Sequence, residues 1–88
     1  MFSLVNNTST KPASLKSLVA VGDLVIVDIN GARTRLLVEE VSSKELEGRS
    51  VEYVDGRWIK ADFFQYATRS QFVKVWYRAA DVGNLLAA

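Results

Sequence analysis

Five short antiparallel strands, arranged as two tight hairpins and a closing strand, are expected to fold this chain into a small all-β barrel. Three observations carry that expectation. Asn30-Gly31 separates the β-rich runs DLVIVDI and ARTRLLVEEV, and Asp55-Gly56 separates RSVEYV from RWIKA. Both dipeptides suit a type I′ turn, whose two central residues need positive φ. Toward the C-terminus, FVKVWYR alternates two kinds of side chain over Phe72–Arg78, the period of a strand.

Along the chain, residues 1–19 read as an N-terminal arm or linker, 20–78 as the barrel and 79–88 as a tail. The arm begins with the apolar Phe2–Val5, suited to docking on the body or on a neighbouring subunit, and continues through the polar NNTSTKPAS, which holds the one proline, Pro12. Asn6-Asn7-Thr8 matches a glycosylation acceptor but reads here as polar loop. SLKSLV, residues 14–19, has the look of a single helical turn or an irregular lead-in.

A two-residue turn fixes register. In the first hairpin Asp28 faces Arg33, Ile26 faces Arg35, Val27 faces Thr34 and Val25 faces Leu36. Val25, Val27, Ile29, Ala32, Thr34, Leu36 and Val38 thereby share the face that turns to the core, and Arg33 and Arg35 share the outer one, Arg33 in reach of Asp28. In the second hairpin Tyr53 falls opposite Trp58 and Glu52 opposite Ile59, and neither face is cleanly apolar. DFFQYA, Asp62–Ala67, is aromatic without alternation and reads as the short helical turn before the last strand. AADVGNLLAA suits either a short helix on the body, weakened by Gly83, or a frayed end.

This order of elements resembles the Src-homology-3-like small barrel. The residues that carry the likeness are GDLVIV, Gly22–Val27, and GRWIKADFFQY, Gly56–Tyr66, over about residues 20–77. The sequence departs from the peptide-binding members in lacking an ALYDY-like first strand and a proline after Trp58, so the resemblance does not carry recognition of proline-rich peptides with it. Bacterial and phage barrels of this type serve in nucleic-acid contact, subunit assembly and docking on larger machines; the resemblance implies a binding module of that kind.

Composition narrows the function. The 88 residues contain neither cysteine nor histidine, which removes thiolate nucleophiles, thiolate and imidazole metal sites, and histidine-based triads. The five glycines are scattered among turns rather than grouped into a phosphate-cradling loop. Glu39 and Glu40 are strand neighbours and point to opposite faces, so they do not form a carboxylate pair, and Glu45 and Glu47 belong to a solvated loop. No catalysis, cofactor or metal is expected. The 11 basic and 10 acidic side chains leave a formal charge of +1, far from the footprint of a strongly basic nucleic-acid binder. No stretch has the about 20 apolar residues that a membrane span needs, and a cytoplasmic protein with no membrane partner is expected.

The candidate binding residues are Phe72, Lys74, Trp76 and Arg78, with Arg35. If Val73, Val75 and Tyr77 turn inward, the first four lie along about 20 Å of outer face. Such a stripe suits a protein partner or a second copy of the protein, the leading expectation, since tryptophan is seldom left uncovered. The alternative is single-stranded or structured nucleic acid, with bases on the rings and phosphates on the cations. A ligand pocket around Tyr53, Trp58 and Tyr66 comes third.

Overall fold

A computed structural model describes residues 14–87. The apolar patch Phe2–Val5 and the polar stretch after it, 6–13, lie outside the described residues. The described residues run α1 (Leu15–Leu18), β1 (Leu24–Ile29), β2 (Ala32–Val41), β3 (Glu45–Val54), β4 (Arg57–Thr68), a 3₁₀ turn (Arg69–Gln71), β5 (Phe72–Tyr77) and α2 (Ala79–Ala87). The five strands form one antiparallel sheet in the order β4-β3-β2-β1-β5.

Both hairpins form with the expected turns and register. Asn30 and Gly31 take φ of 54° and 85°, and Asp55 and Gly56 take 51° and 84°. Val25 pairs with Leu36, Ile26 with Arg35 and Val27 with Thr34 in one hairpin; Tyr53 pairs with Trp58 and Glu52 with Ile59 in the other. Asp28 lies opposite Arg33, but its carboxylate accepts the Gly31 N–H at 2.9 Å and closes the turn instead of forming the anticipated ion pair. Serving its own turn is the ordinary use of an aspartate two residues before Asn-Gly.

The sheet does not close into a barrel. β4 and β5 are its two edges and share no ladder, although the sheet curls enough to bring Trp58 of β4 within 5.1 Å of Trp76 of β5, ring centre to ring centre. Curling follows from bulges. Between Arg49 and Val51 the β3–β4 ladder slips: Arg49 pairs with Phe64 but Val51 pairs with Lys60, so Ala61, Asp62 and Phe63 lie opposite Ser50 alone. Extra residues on one strand bend it and sharpen its twist.

That slip explains DFFQYA. These residues are strand, not helix: Phe64, Gln65, Tyr66 and Ala67 pair with Arg49, Gly48, Glu47 and Leu46. Aromatic side chains favour strands, and the bulge removes the alternation by which a strand is recognised. The helical turn does precede β5, a little further on, where Gln71 Oε1 accepts the Thr68 N–H at 2.9 Å and the Arg69 N–H donates to the Lys44 carbonyl at 2.9 Å.

Each face of the sheet carries its own apolar cluster. The first holds Val25, Val27, Leu36, Val38, Leu46 and Ala67, covered by Leu15 of α1 and by Val19. The second holds Leu24, Leu37, Val51, Trp58, Trp76 and Tyr77, covered by Val82, Leu85 and Leu86 of α2. Packing on both sides is why β1 opens with four consecutive buried residues, Leu24 to Val27, with no alternation. It also settles which side of the second hairpin turns inward: that of Val51 and Trp58.

Candidate functional site

The closing strand departs from the simple alternation of FVKVWYR. Its ladder with β1 pairs Tyr77 with Leu24, Val75 with Val25, Lys74 with Ile26 and Phe72 with Val27, so the register slips at Trp76 and again at Val73. One extra residue reverses which side the following residues face. Phe72 and Val75, of opposite parity, therefore both pack on the first cluster, while the neighbours Trp76 and Tyr77 both pack on the second. Val73, expected inside, is exposed.

The five candidate residues are accordingly split. Phe72 is half-buried against the first cluster, on the side away from Trp76. Arg78 donates to the buried Asp23 carboxylate at 2.8 Å and to the Leu18 carbonyl at 3.1 Å, which ties it to the fold. Lys74 is exposed beside Ile26, whose other neighbour across the sheet is Arg35. Arg35 and Trp76 are brought together, and Trp58 joins them.

β2 sends Arg35 to the face opposite Leu36, where the curl of the sheet has gathered the indoles of both edge strands. The guanidinium carbon sits 5.1 Å from the Trp58 ring centre and 4.7 Å from that of Trp76. The two indoles stand at 74° to each other, so Arg35 occupies the corner between their faces. Tyr53 meets Trp58 edge-on at 5.0 Å, and Tyr77 meets Trp76 edge-on at 4.8 Å. Each such contact adds about 0.5–1 kcal/mol to plain burial, and together they hold the arginine in one place.

Arg35 differs in its electrostatics from Arg49 and Arg78. Arg49 lies 3.8 Å from Glu39 and 3.7 Å from Asp62, and stacks over Phe64 at 4.8 Å; Arg78 has Asp23. Among the described residues no carboxylate pairs with Arg35, and its buried Nε has no hydrogen-bond partner. Its contacts are with rings, and among the described residues the guanidinium N–H groups have no acceptor.

Beside the corner opens a cleft of about 430 Å³ lined by Arg33, Thr34, Arg35, Ser50, Val51, Glu52, Tyr53, Trp58 and Phe63. Ser50 is buried and its hydroxyl also lacks a partner. Tyr53 and Phe63 stand well exposed at its rim, and Phe64 and Tyr66 continue the exposed aromatic series along β4. The anticipated grouping of Tyr53, Trp58 and Tyr66 is divided: the first two line this cleft, whereas Tyr66 lines a smaller one of about 140 Å³ with Glu40, Glu45 and Glu47. Glu40 and Glu47 face each other across β2 and β3, and Glu45 and Glu47 belong to a strand rather than a loop.

Ser50 and Phe63 belonged to no expected site, and Trp58 was expected with Tyr53 and Tyr66 rather than beside Arg35 and Trp76. Their proximity to Arg35 depends on the curl and on the bulge, neither of which leaves a local mark in the sequence. No cluster of residues able to hold a metal ion occurs among the described residues, and no described helix is long and apolar enough to cross a membrane. Comparison with protein-family models, curated proteins and solved structures yields no match.

Proposed function

We propose that the protein is a non-catalytic interaction module that engages a protein partner through the β3–β4 face and the cleft beside Arg35. The observation that carries this reading is the run of exposed aromatics on one arm: Tyr53 is 61 % exposed, Phe63 54 %, Phe64 46 % and Tyr66 61 %. Large rings left in water along one hairpin of a small domain mark contact surfaces, where aromatics are enriched. The 3₁₀ turn between β4 and β5, with β5 beside β1, supports reading the sheet as an open form of the SH3-like architecture, a frame used for docking.

The nucleic-acid reading loses support by the same geometry. Its stripe needed Phe72 beside Trp76 and Arg78 free for a phosphate, but Phe72 packs on the opposite cluster and Arg78, though exposed, is already paired with Asp23. The Trp76 ring is already occupied by Arg35, Trp58 and Tyr77, so it offers no free stacking platform.

The test compares the wild type with Phe63→Ser/Tyr66→Ser. A protein retained by the wild type is purified and recombined with each; a complex that forms with the wild type and weakens at least about tenfold with the variant supports the reading. Solution mass, measured on the same samples, identifies the case in which that partner is a second copy. Binding to a single-stranded oligonucleotide with a steep salt dependence, and to no protein, overturns it.

A further inference from the structure

We infer that the corner between Trp58 and Trp76 is a carboxylate receptor, in which Arg35 binds the carboxylate of a partner polypeptide. This rests on the protein-interaction reading above and names the chemistry of its partner.

Arg35 is a cation with no counterion among the described residues. A guanidinium carries five N–H donors in a planar fork and no acceptor, and it is always charged. Taking such a group out of water is costly unless it is paired and hydrogen-bonded. Arg49, on the same sheet, and Arg78, just past β5, each have a carboxylate within 2.8–3.8 Å. Arg35 is half-buried, its Nε is fully covered, and among the described residues it has neither carboxylate nor hydrogen bond. Two ring faces fix its position at 5.1 and 4.7 Å.

An arginine held between aromatic rings, with its donors unused, is preorganised for a planar acceptor; a carboxylate matches its fork with two parallel N–H···O bonds. The surroundings select further. Tyr53 and Phe63 at the rim provide apolar contact for the residues flanking that carboxylate. A carboxylate on an otherwise apolar peptide fits best.

Two kinds of carboxylate share this chemistry, that of an acidic residue and that of a free C-terminus, and peptide probes separate them. The full-length protein, labelled with ¹⁵N, is titrated with three probes: an N-acetylated, C-amidated peptide containing glutamate among apolar residues; an N-acetylated apolar peptide with a free C-terminus; and an oligothymidylate. The expected result is that at least one peptide shifts the indole N–H signals of Trp58 and Trp76 and the Arg35 Nε–H signal, and that the amidated or uncharged counterpart of that peptide does not.

Arg35→Lys keeps the charge and loses the fork, and is expected to weaken binding at least about tenfold, while Lys74→Gln changes it less than about threefold. The spectrum of each variant shows whether it remains folded, and the titrations of the wild type need no variant at all. Silence of these signals to both peptides, or undiminished peptide binding by a folded Arg35→Lys, overturns the inference. If a protein complex is meanwhile lost in Phe63→Ser/Tyr66→Ser but not in Arg35→Lys, the interaction reading stands and the receptor does not. Shifts produced by the oligothymidylate alone overturn both.

Discussion

Arg78 donates from Nη1 to Asp23 Oδ2 at 2.8 Å, across 55 positions of sequence, and the aspartate it meets is 2 % exposed. The same carboxylate accepts the Ala20 N–H at 2.9 Å through Oδ2 and the Ala79 N–H at 2.8 Å through Oδ1. Ala20 follows α1, Asp23 precedes β1 and Ala79 opens α2. One buried side chain thus joins three elements and satisfies a helix N-terminal N–H that has no partner within its own helix. A charge buried this completely is tolerated because its oxygens are supplied with donors.

Replacing Asp23 should therefore cost more than any surface pair. Asp23→Ala leaves two backbone N–H groups and a guanidinium without their acceptor, and a loss of about 3 kcal/mol is expected. Urea unfolding of the variant measures the total. Hydrogen exchange locates it: protection should fall first in α2, whose opening N–H loses its cap, and a variant whose α2 amides exchange as in the wild type would show that the helix is held by Val82, Leu85 and Leu86 alone.

Two glycines should respond to alanine with opposite sign. A Cβ on Gly48 would stand 2.5 Å from the Leu37 carbonyl oxygen and 2.9 Å from its carbon, both backbone atoms of the adjacent strand. The strands would have to part, and Gly48→Ala is expected to destabilise by about 1–3 kcal/mol. Gly83 lies within α2, and a Cβ there meets nothing within 4 Å. Gly83→Ala should stabilise by about 0.5–1 kcal/mol through helix propensity. Thermal unfolding of the two variants checks both, and equal shifts would refute the close approach at Gly48.

What was legible in the sequence was what depends on near neighbours. Asn30-Gly31 and Asp55-Gly56 set two registers residue by residue, and with them the inward set led by Val25, Val27, Leu36 and Val38. The bulges were not legible, since Val73 and Trp76 look like ordinary members of an alternating strand, and Ala61–Phe63 carry no turn residue. Long-range partners were equally hidden. Arg78 reads as one more surface cation until α1, β1 and α2 are brought together around Asp23. Arg35 was visible as an arginine facing an isoleucine, but its ring partners come from the two opposite edges of the sheet.

Leu15 shows how far the core reaches toward the N-terminus. It is fully buried in the first cluster, and its N–H donates to the Ser43 carbonyl at 3.1 Å. Leu15→Ala should cost about 2–5 kcal/mol, the range for emptying a buried leucine site. A truncation starting at Val19 should lose at least as much as Leu15→Ala. If the version starting at Val19 unfolds at the same urea concentration as the full-length protein, the first cluster does not need α1.

The Arg35 corner makes a prediction separable from ligand binding. Trp76 and Arg35 each have other contacts, Tyr77 and Trp58 among them, so neither single substitution isolates their attraction. A double-mutant cycle does. Arg35→Gln and Trp76→Leu, singly and together, should show a coupling of about 0.5–2 kcal/mol in urea unfolding, the scale of a cation over an aromatic face that is partly removed from water. The attraction is electrostatic but short-ranged and sheltered, so the coupling should survive moderate salt better than that of the half-exposed Arg49–Glu39 pair, whose atoms lie 3.8 Å apart. A coupling of zero, with both singles destabilising, would mean that the rings pack against the arginine's carbon stem, and that the guanidinium is not fixed in the corner.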